Sequence, residues 1–343
     1  MDTLFDTVSL IAALAAMDRP QAFLRDRYYG NVVTSTDEEI AVDKLLKRKK
    51  MAPFVSPDVA AKERAMRGRS VETFRPAYIK PLNTIRPTDL VKRAHGEGLT
   101  GDLSPEERRL AIINQTLLDQ DDEITRREEW MCAQIMRSGI VTVEGEDYET
   151  QIVDFKRPAN QTVALAGVSR WGETGVSILS DLRSWASTTQ RASGGVVTDV
   201  ILGAGAAELV QKDPELKEIM DNRRQASGAF ELGPVASGSQ EQPATYLGSV
   251  GQFNFITYSQ IFEDDEGNDV EIWPDYGVGL VAPNVHAGNM AYGAILNLKS
   301  LEAVSRFPHH FETENPSREH LTTEAAPLPV PSEIAATFFA TAR

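Results

Sequence analysis

The feature that most constrains this chain is a run of 34 residues, Pro105–Ser138, with no glycine and no proline after its first position. Ser104, Pro105 and Glu107 form a capping-box pattern at its start, and Gly139 provides a stop at its end. The run predicts one helix of about 51 Å, roughly three times the ordinary length. Its apolar residues form a narrow stripe that is too interrupted for a coiled coil, so one side is predicted to lie on a sheet. The stripe consists of Leu110, Ile113, Leu117, Ile124, Met131 and Ile135.

Around this helix the chain mixes further helices with β-rich runs. Ile140–Val143 and Tyr148–Phe155 flank a polar turn and predict a hairpin. Val176–Thr188 is predicted to be a helix, and Val196–Leu202 a buried strand. Phe253–Ser259 and other short strands follow. No internal repeat is visible, and the mixture predicts the α+β class.

Composition excludes several classes of protein. Apolar residues make up 41% of the 343 and charged residues 25%, which is typical of a folded chain. No apolar run approaches the roughly 20 residues of a membrane helix. The single cysteine, Cys132, excludes an intrachain disulfide and a zinc site of several thiolates, and it favours assembly inside a cell.

Val8–Met17 is similar to a secretory signal, but acidic residues precede it. A short amphipathic helix that packs on something is favoured, with a secreted binding protein as the alternative.

Charge is distributed unevenly along the chain. The net charge is -15, but residues 41–95 hold 14 Lys or Arg against 5 Asp or Glu, a balance of +9. A basic segment on an acidic chain favours association between copies, and the overall charge makes general nucleic-acid binding unfavourable. Prolines recur through Met51–His95 and predict extended backbone, with Gly68 at a turn tip and Val71–Lys80 and Leu82–Arg86 as the returning arm of a hairpin. This hairpin has too few apolar residues to form a core, so it is predicted to lie on another molecule.

Several segments are similar to motifs that carry chemistry in other proteins. Gly203–Glu208 follows a predicted strand as a dinucleotide fingerprint would, but Glu208 occupies the third small position, which favours a tight strand-to-helix turn. Glu263–Asp269 is predicted to be a hairpin turn, with a non-specific cation site as the alternative. The histidines at 309, 310 and 320 have no carboxylate at ligand spacing and are predicted to lie in loops. Cys132 is predicted to be a core residue. We therefore predict no enzyme and no catalytic, metal or cofactor-binding residues, with a nucleotide-dependent enzyme as the alternative.

Six short motifs at the two ends of the chain carry a family resemblance. They are Ala52–Pro57, Arg67–Gly68, Phe74–Pro81, Arg306–Pro308, Asn315–Glu319 and Ala325–Leu328. Together with the long helix between them, they resemble the lambda-like phage major capsid proteins, the capsid protein E family. The resemblance implies the Hong Kong 97 type capsid fold and a major capsid protein without enzymatic activity. The protein would self-assemble into the icosahedral head shell of a tailed double-stranded DNA phage. A nanocompartment shell protein of the same fold is the nearest alternative.

The resemblance also implies a division of the chain and a set of partners. The implied parts are an N-terminal arm (1–50), an extended loop (51–100), a peripheral domain with the spine helix (101–157), an axial domain (158–300) and closing strands of the peripheral domain (301–343). The partners would be copies of the chain in hexamers and pentamers, portal and scaffolding proteins, a decoration protein and packaged DNA bound without sequence specificity. The protein would be assembled in the host cytoplasm and located in the virion capsid.

Contacts between subunits are predicted for the extended loop, because this segment combines the basic charge with the proline-rich texture. The candidate contact residues are Arg64, Arg67, Arg69, Phe74, Tyr78 and Lys80.

Overall fold

The structure is a computed structural model that describes residues 10–11, 14, 22–45, 54, 69–91, 104–145, 148–217, 244–263, 267–298 and 303–343. Its helices are α1 (Phe23–Tyr28), α2 (Pro87–Val91), α3 (Pro105–Ser138), α4 (Ile178–Ser193), α5 (Ala204–Lys212) and α6 (Pro283–His286). Strands of the first half are β1 (Asn31–Thr34), β2 (Ile40–Leu45), β3 (Arg69–Phe74), β4 (Leu82–Ile85), β5 (Ile140–Gly145), β6 (Tyr148–Asp154), β7 (Thr162–Ala164) and β8 (Asp199–Leu202). Strands of the second half are β9 (Ala244–Val250), β10 (Phe253–Tyr258), β11 (Ile261–Glu263), β12 (Asp269–Glu271), β13 (Gly277–Val281), β14 (Asn289–Tyr292), β15 (Phe307–Glu314), β16 (Ser317–Glu324), β17 (Pro327–Val330) and β18 (Thr337–Thr341). No helix of these described ranges combines the length and apolarity needed to cross a membrane.

The long helix α3, called the spine helix below, has the predicted bounds. Ser104 accepts a hydrogen bond from the Glu107 amide, and the Glu107 carboxylate accepts one from the Ser104 amide at 2.7 Å. Gly139 ends the helix with φ of 78°, a conformation that favours glycine. Of the predicted apolar stripe, all but Leu110 is buried. The buried face of the helix is nevertheless wider than this predicted apolar stripe, because several polar side chains of the helix are also buried. These are Gln120, Asp121, Thr125, Glu128 and Glu129.

The larger sheet has the order β7-β18-β13-β8-β10-β9. β8 and β10 run parallel, as do β18 and β7, while the other neighbours are antiparallel. Helices α4 and α5 share an apolar core with this sheet, in which Trp185 stacks between Trp171 and Phe338 at ring-centroid distances of 5.8 and 5.4 Å. The chain's last strand therefore completes a sheet built mainly from the segment 158–300.

Smaller sheets surround the spine helix. Their orders are β4-β16-β15 and β1-β14-β17, and the hairpins are β2-β3, β5-β6 and β11-β12. The predicted hairpin after Gly139 is confirmed as β5-β6. Leu10 and Leu14, in a helical segment near the N-terminus, are buried against Ile113, Leu117 and Leu321, so the predicted packing of that segment is confirmed.

The extended hairpin differs from the prediction at its base. β2 pairs with β3 from Ile40 opposite Phe74 to Leu45 opposite Arg69, so the outgoing strand starts well before Met51. The prediction that Leu82–Arg86 continues the returning arm is wrong, because β4 pairs with β16 in another sheet. Backbone hydrogen bonds between distant segments decide this pairing, and proline spacing does not reveal it. Residues 46–53 and 55–68 lie outside the described ranges, as does the predicted loop 227–243.

Candidate assembly surface and its anchoring network

The six candidate contact residues fall in three different situations. Arg64 and Arg67 lie outside the described residues. Arg69 occupies the distal end of β3, where its backbone pairs with Leu45. The other three, Phe74, Tyr78 and Lys80, lie at the base of the hairpin and make contacts within the chain. The structure thus places these three at the hairpin base, and it places Arg69 at the far end of the described part of β3.

Phe74 and Tyr78 pack into the body of the subunit. The ring of Phe74 lies 5.5 Å from that of Phe155, beside the apolar cluster that contains Met131 and Ile135 of the spine helix. Tyr78 packs against a second cluster that contains Phe307. Burial of these aromatic rings fixes the base of the hairpin on the subunit's own core.

A buried carboxylate holds the chain just after the hairpin. Glu324 of β16 accepts hydrogen bonds from the Tyr78 hydroxyl and from Asn297 at 2.9 Å, and it forms an ion pair with Lys80 at 3.1 Å. Burial opposes ionisation of Glu324, but these donors, Tyr78 first, lower the pKa of its carboxyl below the ordinary value. Burial and the hydrogen bond to Glu324 raise the pKa of Tyr78, which therefore stays protonated. The exposed pairs Lys156–Glu72 and Arg75–Glu38 add little to this anchor.

The polar residues buried on the spine helix form an ion network that sequence reasoning missed. Arg306 lies 2.7 Å from both Asp121 and Glu128, and Glu128 also accepts from Arg25 and Tyr292 at 2.9 Å. Burial opposes the charge on Glu128, but Arg306 and Arg25 keep the pKa of its carboxyl below the ordinary value. A signal was present, because positions 121, 125 and 128 follow helical spacing beside the apolar stripe. Their partner, Arg306, belongs to one of the six family-like motifs.

Glu129, next to this network, attaches the N-terminal segment to the spine helix. Its carboxylate accepts the backbone amides of Leu24 and Arg25 at 2.8 and 2.9 Å, and the Tyr258 hydroxyl at 2.8 Å. Burial raises the pKa of this carboxyl, although the three donors oppose the shift. Asp199 provides another attachment point, since it accepts from Arg27 and from the hydroxyl of Tyr28. Helix α1 is thereby fixed to both the spine helix and the larger sheet.

The glycine-rich turn after β8 is filled by the protein itself. A side chain at Gly203 would place its Cβ 2.1 Å from the carbonyl oxygen of Pro274. The Gly205 amide donates to the Asp275 carboxylate at 2.7 Å, and the Ala206 amide donates to the Asp275 carbonyl at 3.0 Å. The amides that would hold a pyrophosphate are thus used internally, which supports the prediction of a tight turn.

The histidines lie on strands, so the prediction of loop histidines is wrong. Strand pairing brings His310, Glu312 and Glu319 together, although they are separated along the chain. Arg109 already supplies positive charge there, at 2.7 Å from Glu312 and 2.8 Å from Glu319, while His310 Nε2 lies 2.6 Å from Glu319. Burial opposes ionisation of Glu319, but His310 and Arg109 lower the pKa of its carboxyl to about 2. The group is therefore an ion network between the spine helix and the hairpin β15-β16.

A solved structure defines the class to which this fold belongs. The chain is similar to the crystal structure of a prophage capsid protein from Escherichia coli CFT073, with a TM-score of 0.76 and 22% identity over 98% of this chain and 99% of that one. The spine helix, the β2-β3 hairpin and the surrounding sheets are those of a Hong Kong 97 type capsid fold.

The sequence comparison identifies the family within that class. The profile of the family described as phage major capsid protein E matches residues 6–342, so the chain belongs to this family. It is 26% identical to the major capsid protein of Enterobacteria phage P21 over 95% of this chain and 96% of that protein. It is 24% identical to the major capsid protein of Escherichia phage lambda over 95% of each. The protein is a phage major capsid protein of the virion shell, and the family is structural rather than enzymatic.

Proposed function

We propose that the chain assembles as hexamers and pentamers into the icosahedral head of a tailed phage, with its β2-β3 hairpin lying across a neighbouring subunit. The observation that carries this proposal is the arrangement of the hairpin. Its base is fixed by Phe74, Tyr78 and Lys80, while the segment beyond Leu45 and Arg69 carries most of its basic residues. In this proposal the three base residues set the direction of the hairpin, and Arg64, Arg67 and Arg69 contact the acidic neighbour.

The remaining parts and partners belong to the same proposal. In the assembled shell, the axial domain (158–300) would lie at the centre of each hexamer or pentamer. The peripheral parts (101–157 and 301–343) would lie away from that centre, and residues 1–50 would form the N-terminal arm. Portal and scaffolding proteins would direct assembly, a decoration protein would bind outside, and double-stranded DNA would be packaged inside. The net charge of -15 supports weak, non-specific contact with that DNA. Strong binding of free duplex DNA by isolated shells at moderate salt would contradict this last point.

The test combines imaging with charge reversal. The expressed protein is expected to form closed shells in negative-stain micrographs. A double variant, Arg67→Glu with Arg69→Glu, should assemble poorly while its circular dichroism stays unchanged, because it reverses two charges and removes no apolar side chain. Arg191→Glu on the exposed side of α4 serves as a matched control and should assemble normally. Normal shells from the double variant would show that these charges are not the contact.

The contents of the shell separate the phage head from the nanocompartment alternative. The match to the phage family over residues 6–342 favours the phage head. Particles recovered from infected or induced cells should contain DNA, whereas a nanocompartment should contain a cargo enzyme.

A further inference from the structure

An open groove of about 330 Å³ lies beside the base of the hairpin. It is formed by the outer edge of β1, the first residues of β2, the end of β3 and the chain after β17. The larger apolar side chains that line it are Val33, Ile40, Phe74, Phe155, Val330 and Ile334. Its floor is continuous with the apolar cluster of the spine helix. The groove is therefore a largely apolar site whose volume suits one aromatic side chain.

Phe54 is an aromatic side chain that the subunit leaves fully exposed, at 105% of the reference area. It lies between Pro53 and Pro57, which restrict the local backbone and lower the entropy lost on binding. Phenylalanine is enriched in the buried centres of protein interfaces. Because the ring is exposed, it does not occupy the groove of its own subunit.

The charges around the two sites are complementary. The segment 46–69 holds eight Lys or Arg and two Asp or Glu. Glu72 lines the groove, and Asp37, Glu38 and Glu39 lie in the short loop between Val33 and Ile40, which line it too. Arg75 and Lys156 form ion pairs with Glu38 and Glu72, which leaves this border with a net negative charge. A basic hairpin segment would thus be attracted to the groove of another copy.

We propose that Phe54 of one subunit inserts into the groove of a neighbouring copy in the shell. The inference rests on the proposed function and names the landing site of the hairpin. Since the inserted ring and the groove are different surfaces of the same chain, the contact is head-to-tail and repeats around a ring of subunits. The apolar insertion supplies affinity, and the surrounding charges select the orientation.

Disulfide cross-linking tests this contact directly. The native chain has one cysteine, Cys132, which is buried and gives little background. Shells of the double variant Phe54→Cys with Val33→Cys should give a ladder of covalent oligomers on a non-reducing gel after mild oxidation. The matched control pairs Phe54→Cys with Val168→Cys, an exposed valine outside the groove. A ladder no stronger than the control, or a cross-link within single chains, would overturn the assignment.

A truncation provides the second measurement. Phe54→Ala should raise the subunit concentration needed for assembly roughly tenfold, as expected for the loss of an interface anchor. Leu298→Ala removes an equally exposed apolar side chain and should leave that threshold unchanged. If the unmodified protein forms no shells, the proposed function fails. If shells form but the cross-link is no stronger than the control, or the Phe54→Ala threshold is unchanged, only the groove assignment fails.

Discussion

Arg306 and Glu128 form a buried ion pair with 2.7 Å between Nη1 and Oε1, and both side chains are almost completely inaccessible to solvent. The pair joins the chain before β15 to the middle of the spine helix. Asp121 and Arg25 extend it to a four-residue network. Replacing such a network with apolar residues can be neutral, but removing one partner leaves a buried charge uncompensated. The network therefore makes the docking of the spine helix specific to one arrangement.

Arg306→Met is expected to lower the free energy of unfolding by about 3 to 5 kcal/mol, because buried Asp121 and Glu128 would both lose the guanidinium of Arg306, although Arg25 would remain beside Glu128. Chemical denaturation of unassembled subunits measures this loss. Arg126→Met is the control, since Arg126 and Asp122 form an exposed pair at 3.7 Å whose removal should cost less than about 1 kcal/mol. Equal losses in the two variants would contradict a structural role for the network.

Tyr78→Phe is expected to destabilise the unassembled subunit by about 1 to 2 kcal/mol, because buried Glu324 would lose a hydroxyl donor. Thermal unfolding of subunits kept below the assembly concentration would detect it. Tyr246→Phe, at a partly exposed tyrosine, is the matched control and should have little effect. A Tyr78→Phe protein of unchanged subunit stability would show that Tyr78 does not anchor the hairpin.

His286 predicts an acid-sensitive junction. Its ring is fully buried against Tyr28 and Tyr29, at 6.2 and 5.1 Å between ring centroids, and neither ring nitrogen has a hydrogen-bond partner within the described ranges. Burial lowers the pKa of His286 from 6.5 to about 4. The unfolded chain therefore binds the proton more readily between pH 6.5 and 4. Stability from this group is complete above pH 6.5, falls by about 1.4 kcal/mol per pH unit between pH 6.5 and 4, and levels off below pH 4.

Denaturation curves at several pH values check this expectation. His286→Phe keeps an aromatic ring at the junction and should reduce the slope of stability against pH between 6.5 and 4. The control His320→Gln changes a histidine that lies on a sheet surface next to Thr84. If His286→Phe has the same pH dependence as the unmodified protein, the acid sensitivity arises elsewhere.

Gly203→Ala should destabilise the subunit by about 3 kcal/mol, because the added methyl group would overlap the carbonyl oxygens of Pro274 and Asp275. Ala204→Ser, at the exposed next position, should change stability by less than about 0.5 kcal/mol. Both effects are measured by denaturation.

NAD should leave the melting temperature of the unmodified protein unchanged, because the amides of the turn after β8 are already bonded within the chain. A clear increase in melting temperature would instead indicate a nucleotide site at this turn.

Local signals in the sequence were sufficient for some elements and not for others. The bounds of the spine helix follow from Ser104, Glu107 and Gly139, since capping is decided within a few residues. The strand before Gly203 was also predicted from a local signal, its run of apolar residues. The partner of β4 was predicted incorrectly, because pairing depends on which distant edge is free after the helix has docked. The start of the hairpin was predicted too far along the chain for the same reason. The groove is lined by residues from several distant segments, so no single segment indicates it.

By itself, the sequence determined the long helix, the α+β class, the basic hairpin and the family, because each depends on residues that are close together in the chain or on short motifs. The tertiary structure alone decided which charges are buried together. Arg306 meets Glu128, and Tyr78 meets Glu324, only after strands and helices separated by more than a hundred residues have packed. Burial then removes the solvent that would screen these pairs. A charged residue that looks like any other in the sequence therefore has a large effect on the stability of the folded subunit.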